Sequence, residues 1–284
     1  MTDILYLLLK GLSLGSLYAL SAMGFVLIFK TGRVINLAHG QLMALGAFIF
    51  LLLSSFTGLT FISAFLLSVM IGLVMILIIE LLFIRPLYPV NMKQGIFITL
   101  GIMLMLKGLV SFVSLPTAED VSRGSGTSSV HITIFATGII SVLVFLLFFR
   151  RSSLGLYIKA VSDNRKAALS LGIPIERLFT FSAIIAGMAA LISGILMATD
   201  SGLKGSELVS MESIIFPSII LGGLGSMRGA ILGGILIGVI ETCAEGRVSG
   251  PLGDLIPYLM LVIMLLARPN GLFSDKIDLD GIKE

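Results

Sequence analysis

The sequence predicts an all-α protein, a polytopic transmembrane helical bundle of about 8–9 spans with one short broken or re-entrant segment. The first observation is composition: 57% of the 284 residues are hydrophobic and only 12% are charged, whereas a soluble domain is about a quarter charged. The second is that apolar residues form runs long enough to cross a bilayer core, which takes roughly 20 residues per helix. The third is that the sequence lacks the short alternating segments of about ten residues that build transmembrane β-barrels.

The predicted helices follow one another along the chain, which we interpret as one transmembrane domain over 1–284. The first is interpreted as a retained helix and not a cleaved signal, because Met1-Thr2-Asp3 lacks a basic segment and the apolar stretch continues past Lys10. The third has a single ionisable residue, Glu80. The seventh is short and contains Phe216-Pro217, so it either crosses as a tilted broken helix or enters and returns. The predicted spans are roughly 5–29, 36–55, 61–83, 95–113, 132–149, 178–199, 213–225, 229–244 and 251–267.

Basic residues indicate how the bundle is oriented. The connection 150–177 has an excess of lysine and arginine over acidic residues, which marks the cytoplasmic side of a membrane protein. If every span crosses, the other basic clusters fall on the same side, and crossing by 213–225 is favoured for that reason. We therefore expect an external N-terminus, a cytoplasmic C-terminus and external connections at 54–60, 114–130 and 200–212. The clusters concerned are Lys30/Arg33, Arg85/Lys93 and Arg268/Lys276.

Several kinds of functional site are missing from the sequence. The dipeptide Gly-Lys does not occur, which excludes the Walker A loop that binds ATP phosphates. The two histidines, His39 and His131, have no carboxylate at metal-ligand spacing, so we expect no metal centre. Ionisable residues within the spans are few, whereas ion-coupled carriers bury acidic residues in mid-membrane. We expect a conduit that is not an enzyme, holds no cofactor of its own and binds no nucleic acid.

The connection 150–177 is predicted to contain a short cytoplasmic helix of about ten residues. Ser162 suits its N-cap and Asp163 its positive first turn, while Gly172 suits the position after its end. Helical spacing places Ala167, Ala168 and Leu171 on one face, with Arg165 and Lys166 elsewhere. Such a helix is either a docking element for another protein or an interfacial helix whose basic residues contact anionic lipid headgroups.

Two readings apply to the polar and glycine residues within the spans. The pairs Gly229/Gly233 and Gly234/Gly238 favour close helix packing, although an interrupted, glycine-rich segment can also line a solute path. His39 is either a hydrogen-bonding post in such a path or an interhelical bond, and Asn36 is a helix cap or a solute ligand. The candidates for lining a path are Asn36, His39, Gly40, Gly225 and Arg228.

Five stretches resemble the permeases of ABC importers, and four of them resemble the branched-chain amino acid type in particular. The segment Lys166-Ala-Ala-Leu-Ser-Leu-Gly172 is similar to the Glu-Ala-Ala-x-x-x-Gly loop of ABC importer permeases, with Lys166 in the position of the glutamate. Gly11-Leu-Ser-Leu-Gly15-Ser-Leu-Tyr18, with Gly32-Arg-Val-Ile-Asn36-Leu-Ala-His39-Gly40, resembles the first part of the branched-chain permeases. The runs Gly222-Gly-Leu-Gly225-Ser-Met-Arg-Gly229 and Arg268-Pro-Asn-Gly-Leu-Phe273 resemble their late glycine-rich segment and their ending.

This resemblance implies a multi-pass subunit of a prokaryotic plasma (inner) membrane. It also implies several partners: a second permease, either a related chain or a copy of this one, two cytoplasmic ATPase subunits that hold ATP and Mg, and an external solute-binding protein. Branched-chain amino acids are the expected solutes; urea, amides and aromatic or carboxylic acids are alternatives within the class. A stand-alone secondary carrier is the alternative of a different class. The residues implied in coupling to the ATPase are Asp163, Arg165, Lys166, Ala167, Ala168, Leu171 and Gly172.

Overall fold

A computed structural model describes residues 2–57, 59–85, 92–113, 128–201, 211–245, 251–268 and 271–273, and within these ranges the regular secondary structure is entirely helical. We number the helices in chain order. They are α1 (Thr2–Gly32), α2 (His39–Thr57), α3 (Phe61–Ile79), α4 (Met92–Val113), α5 (Ser128–Arg151), α6 (Ser153–Asp163), α7 (Arg165–Ser170), α8 (Ile175–Ser201), α9 (Met211–Gly222), α10 (Met227–Glu245) and α11 (Pro251–Ala267). A π-helical turn, Glu80–Ile84, extends α3.

The all-α polytopic fold is confirmed. Six of the helices are long and apolar enough to cross a membrane, and two shorter apolar helices, His39–Ser55 and Tyr258–Ala267, accompany them. The predicted short broken segment corresponds to α9, which has 12 residues and contains Pro217. Helix α9 packs against α10, and the two form an antiparallel hairpin. They approach so closely that a Cβ on Gly222 would meet the backbone of Gly229.

Helix α1 lies at the centre of the bundle. In its most apolar stretch 94% of the residues are buried, against 28% in α3, α4 and α5. Neighbours approach α1 closely through small residues: a Cβ on Gly15 would lie 2.8 Å from the Cα of Ile235 in α10, and one on Gly24 would lie 2.9 Å from the carbonyl oxygen of Ala186 in α8. Helix backbones that approach this closely leave no room for larger side chains between them. Small residues therefore allow membrane helices to gain extensive packing contacts.

The predicted packing role of the paired glycines in α10 is confirmed. Gly234 and Gly238 lie against the backbone of α1, at Ala19 and Gly15. Gly229 and Gly233 lie on another side of the helix, against the end of α9. The two pairs therefore serve two interfaces, and α10 is held between α1 and α9.

Basic residues collect at one end of the bundle, where α1 ends and α2 begins. Contacts join the other elements to this end: Leu37 bonds to Thr99 near the start of α4, Arg33 bonds to Ser162 in α6, and Phe179 near the start of α8 covers Gly32. We call it the basic end, and its cations are Lys30, Arg33, Arg85, Arg150, Arg151, Lys159, Arg165, Lys166, Arg177, Arg228 and Arg268. The charge pattern predicted this grouping.

The outer surface of the bundle is apolar. Large apolar side chains are exposed along α3, α4, α5 and α11, including Phe97 and Phe112 of α4 and Leu266 of α11. A continuous apolar exterior of this extent is unfavourable in water and suits contact with lipid chains or with another membrane protein. The exterior agrees with a protein that resides in the membrane.

Candidate functional site

The connection 150–177 contains two short helices where one was predicted. Ser152 caps α6 by accepting a hydrogen bond from the amide of Gly155 at 3.2 Å. Asn164 then adopts an extended backbone (φ −154°, ψ 102°), and its side-chain oxygen accepts from the amide of Ala167 at 3.0 Å, capping α7. The prediction of a single helix begun by Ser162 and Asp163 is therefore wrong, since both belong to the last turn of α6.

The predicted end of the short helix is confirmed as the end of α7. Gly172 follows the helix with φ of 78°, in the left-handed region where a side chain is disfavoured. The amide of Ile173 donates to the carbonyl of Ala168 at 3.1 Å, and the amide of Gly172 donates to that of Leu169 at 2.9 Å. This pair of bonds is the Schellman arrangement that closes many helices, and Pro174 prevents any continuation.

The faces of α7 differ from the prediction. Ala168 is 1% exposed and packs into the hydrophobic core, whereas Ala167 is exposed and Leu171 is 80% exposed. Ala167 and Leu171 do share one face, because they are four residues apart, but Ala168 lies on the side that joins the helix to the bundle. Lys166 and Asp163 are exposed and Arg165 is half-buried. The outward surface of α7 therefore consists of Lys166, Ala167, Leu169, Ser170, Leu171 and Gly172.

His39 and Asn36 have defined positions at the turn between α1 and α2. His39 is the first residue of α2. Its Nε2 donates to the carbonyl of Ser21 at 2.8 Å, and its ring meets the edge of Phe25 with centroids 5.7 Å apart. Asn36 does not cap α2 directly: its side-chain oxygen accepts from the amide of Ala38 at 3.0 Å, in a local turn before the helix. The observed bond of His39 is an interhelical one; a path-lining role stays a prediction.

A small cavity lies beside this turn. Its volume is about 30 Å³, enough for about two water molecules at roughly 15 Å³ each. It is therefore too small for an amino acid in this conformation. Asn36 and Thr99 are the residues around it that have polar side chains. The other residues around it are Ile28, Val34, Ile84, Gly95, Ile98, Phe179 and Ala183.

The remaining path candidates fall in two places. Gly40, like His39, is buried in the first turn of α2. Gly225 is in the turn between α9 and α10, and Arg228 is exposed at the start of α10, whose first turn is capped by Ser226 accepting from Gly229 at 3.0 Å. Phe25 links the first turn of α2 to the middle of α9, since its ring also meets that of Phe216 with centroids 6.0 Å apart.

Gly11-Leu-Ser13-Leu-Gly15 has the spacing of a hydrolase nucleophile elbow. That motif needs an exposed serine on a strand-to-helix turn. Here the five residues belong to the regular helix α1, and Ser13 is fully buried. The segment packs against α10 and lacks the geometry of an active site.

Known proteins resemble the chain along almost its whole length. A family model described as "Branched-chain amino acid transport system / permease component" matches residues 7–265. The high-affinity branched-chain amino acid transport system permease protein BraD of Pseudomonas aeruginosa is 28% identical, with 94% of each chain covered. The corresponding permease protein LivH of Salmonella typhimurium is 26% identical over 93% of this chain and 94% of the relative. The solved structure of PsaBC from Streptococcus pneumoniae in complex with Fab shares the fold, with a TM-score of 0.53, 14% identity, and coverage of 97% of this chain and 94% of that one.

Proposed function

Because the chain belongs to the family of permease components of branched-chain amino acid transport systems, we propose that it forms half of the pathway of an ATP-driven importer for branched-chain amino acids. The family match over 7–265 carries the proposal, because it includes nearly all of the helical bundle. Relatives that match over more than nine-tenths of their own length are permeases for these solutes.

The energy for transport comes, in this proposal, from ATP and Mg bound to two separate cytoplasmic ATPase subunits. The sequence has no Gly-Lys dipeptide and therefore no Walker A loop to bind ATP phosphates. Helix α7 offers a docking element, since it is capped at both ends and presents Leu171, 80% exposed, at the basic end. An apolar side chain that projects from a basic surface suits an apolar cleft on a partner. The other interpretation, a helix resting on anionic headgroups, predicts no contact with an ATPase.

The proposed contacts divide the seven coupling residues into three groups. Lys166, Ala167, Leu171 and Gly172 contact the ATPase from the outward surface of α7. Asp163 and Arg165 flank that surface, with Arg165 half-buried. Ala168, being buried, supports the helix from the bundle side and makes no contact with the partner.

We propose that the basic end faces the cytoplasm, a placement supported by its excess of lysine and arginine. The N-terminus is then external, and an external solute-binding protein docks on the connections at the opposite end. The predicted docking segments are 114–130 and 200–212, of which 114–127 and 202–210 lie outside the described residues. A second permease, related or identical, completes the pathway. Asn36, His39, Gly40, Gly225 and Arg228 stay proposed lining residues.

Competition for uptake tests the solute class. In membrane vesicles with the assembled transporter, excess valine or isoleucine is expected to reduce uptake of labelled leucine at least fivefold, because each has the same charged groups as leucine and a branched aliphatic side chain of similar size. Each buried methylene contributes about 0.8 kcal/mol to binding. Glycine is the matched control, since it has the same charged groups without the aliphatic side chain, and it should compete weakly. Stronger competition by urea, an amide or an aromatic acid than by valine would identify one of the alternative solute classes.

A further inference from the structure

Arg33 forms a direct bond between the turn 33–38 and α6, the helix that precedes α7. Its Nη2 donates to the carbonyl oxygen of Ser162 at 2.9 Å. Ser162 lies in the last turn of α6, where helix carbonyl groups lack partners within the helix and the helix dipole is negative. A guanidinium group is therefore well suited to this position. Asn164, two residues later, caps α7. Only two residues therefore separate the contact at Ser162 from the start of α7.

The backbone of Arg33 is unusual. Its φ is 53°, and it is the one non-glycine residue with positive φ in the described part of the chain. This conformation is disfavoured for residues that carry a Cβ, and glycine adopts it freely. The arginine side chain is thus present where the backbone favours glycine. Its guanidinium group also lies 5.8 Å from the centre of the Phe29 ring, and its amide donates to the carbonyl of Phe29 at 2.9 Å.

The other side of the same turn is held by α4. The hydroxyl of Thr99 accepts from the amide of Leu37 at 3.2 Å and donates to the carbonyl of Ile35 at 3.2 Å. The same hydroxyl hydrogen is shared with a second acceptor, the carbonyl oxygen of Ile96 in α4, at 3.1 Å. Helix α4 packs mainly on α2 and is one of the least buried helices of the bundle. The turn is therefore bonded on one side to α6 and on the other to the peripheral helix α4.

From these contacts we infer that Arg33 is a positioning residue that transmits displacement of α6 and α7 to the turn 33–38 and, through Thr99, to α4. The chain of bonds runs from α7 through Asn164, Ser162 and Arg33 to the turn, and from the turn to α4. The inference rests on the proposed function, since it requires α7 to be moved by an ATPase. Its consequence is that loss of Arg33 separates ATP hydrolysis from solute movement without loss of assembly.

The test uses the complete transporter, comprising this chain, the second permease, the ATPase subunits and the binding protein, in proteoliposomes. Arg33→Gly removes the side chain at a backbone position that glycine adopts more easily, so the turn itself is preserved. We expect ATP hydrolysis to stay within about twofold of the wild type and the number of solute molecules moved per ATP to fall at least fivefold. Lys159→Ala is the matched control, because Lys159 is exposed on α6 and its loss removes one positive charge from the same end. The number of solute molecules moved per ATP should be unchanged in this control.

A second variant tests the route through α4. Thr99→Val keeps the shape of the side chain and removes its hydroxyl, and it should also lower the solute moved per ATP. If both residues act in one route, Arg33→Gly combined with Thr99→Val is no worse than the stronger single variant; independent effects would multiply.

Four results would overturn the inference. One is a wild-type number of solute molecules moved per ATP in Arg33→Gly. Another is a combined variant in which the losses of the two single variants multiply. Failure of Arg33→Gly to assemble would assign the bond a purely structural role. A wild-type transporter without ATP-dependent uptake would reject the importer function as well, which distinguishes that failure from the others.

Discussion

Gly238→Leu is expected to prevent the permease from folding into a stable bundle, with a loss of about 4 kcal/mol or more in folding free energy. The reason is the contact between α10 and α1. A Cβ at Gly238 would fall on the backbone of Gly15, and one at Gly15 would lie 2.8 Å from the Cα of Ile235. No side chain can rotate away from a clash with backbone, so the two helices must separate along an interface at the centre of the bundle.

Fluorescence-detected size-exclusion and thermal melting of the isolated permease in detergent would measure this effect. Gly108→Leu is the matched control, because a Cβ at Gly108 of α4 meets nothing within 4 Å. The same substitution there also replaces a poor helix former by a good one, so the melting temperature should stay the same or rise. If the two variants melted alike, the close packing of α1 and α10 would not be a main source of stability.

Leu171→Asp is expected to weaken binding of the ATPase at least tenfold and to reduce ATP-driven uptake to a similar extent. Burial of a leucine side chain contributes about 2 kcal/mol, and a carboxylate placed in an apolar cleft adds a desolvation cost. Because Leu171 is 80% exposed in the permease, the substitution should leave the fold intact. Pull-down of the ATPase by the purified permease and uptake in vesicles are the two measurements.

Leu171→Met is the matched control, since it keeps an apolar side chain of similar volume, and it should retain binding within about twofold. Normal binding of the ATPase by Leu171→Asp would contradict the docking role and favour contact of α7 with lipid headgroups. Ala168 is a poor position for this test. Its side chain is 1% exposed, so an acidic residue there would disturb the packing of α7 and would affect the fold and docking together.

Much of the fold could be predicted from local patterns. The apolar runs predicted where the helices lie, and the basic clusters predicted that the cations lie at one end of the bundle. Both predictions succeed because the length of an apolar run and the charge of a connection can be read from each segment by itself. Gly172 signalled the end of α7, since the left-handed position after a helix favours glycine. The paired glycines of α10 likewise indicated packing, although only the structure shows that one pair faces α1 and the other α9.

The features that were missed depend on choices between neighbouring residues or on distant contacts. Ser162 and Asn164 are both good helix caps, and the structure uses Asn164, which ends α6 and begins α7. Burial of Ala168 depends on where the bundle lies relative to α7, which helical spacing does not reveal. No sequence signal connects Arg33 to Ser162, 129 residues away.

Uptake by the reconstituted protein tests the central claim most directly. Proteoliposomes containing this chain alone are compared with proteoliposomes containing it with the second permease and ATPase subunits, in each case with the binding protein and leucine outside and with or without ATP inside. The importer account predicts accumulation only in the complete assembly and only with ATP. Leucine movement of similar rate through this chain alone, without nucleotide, would contradict it and identify a self-contained carrier.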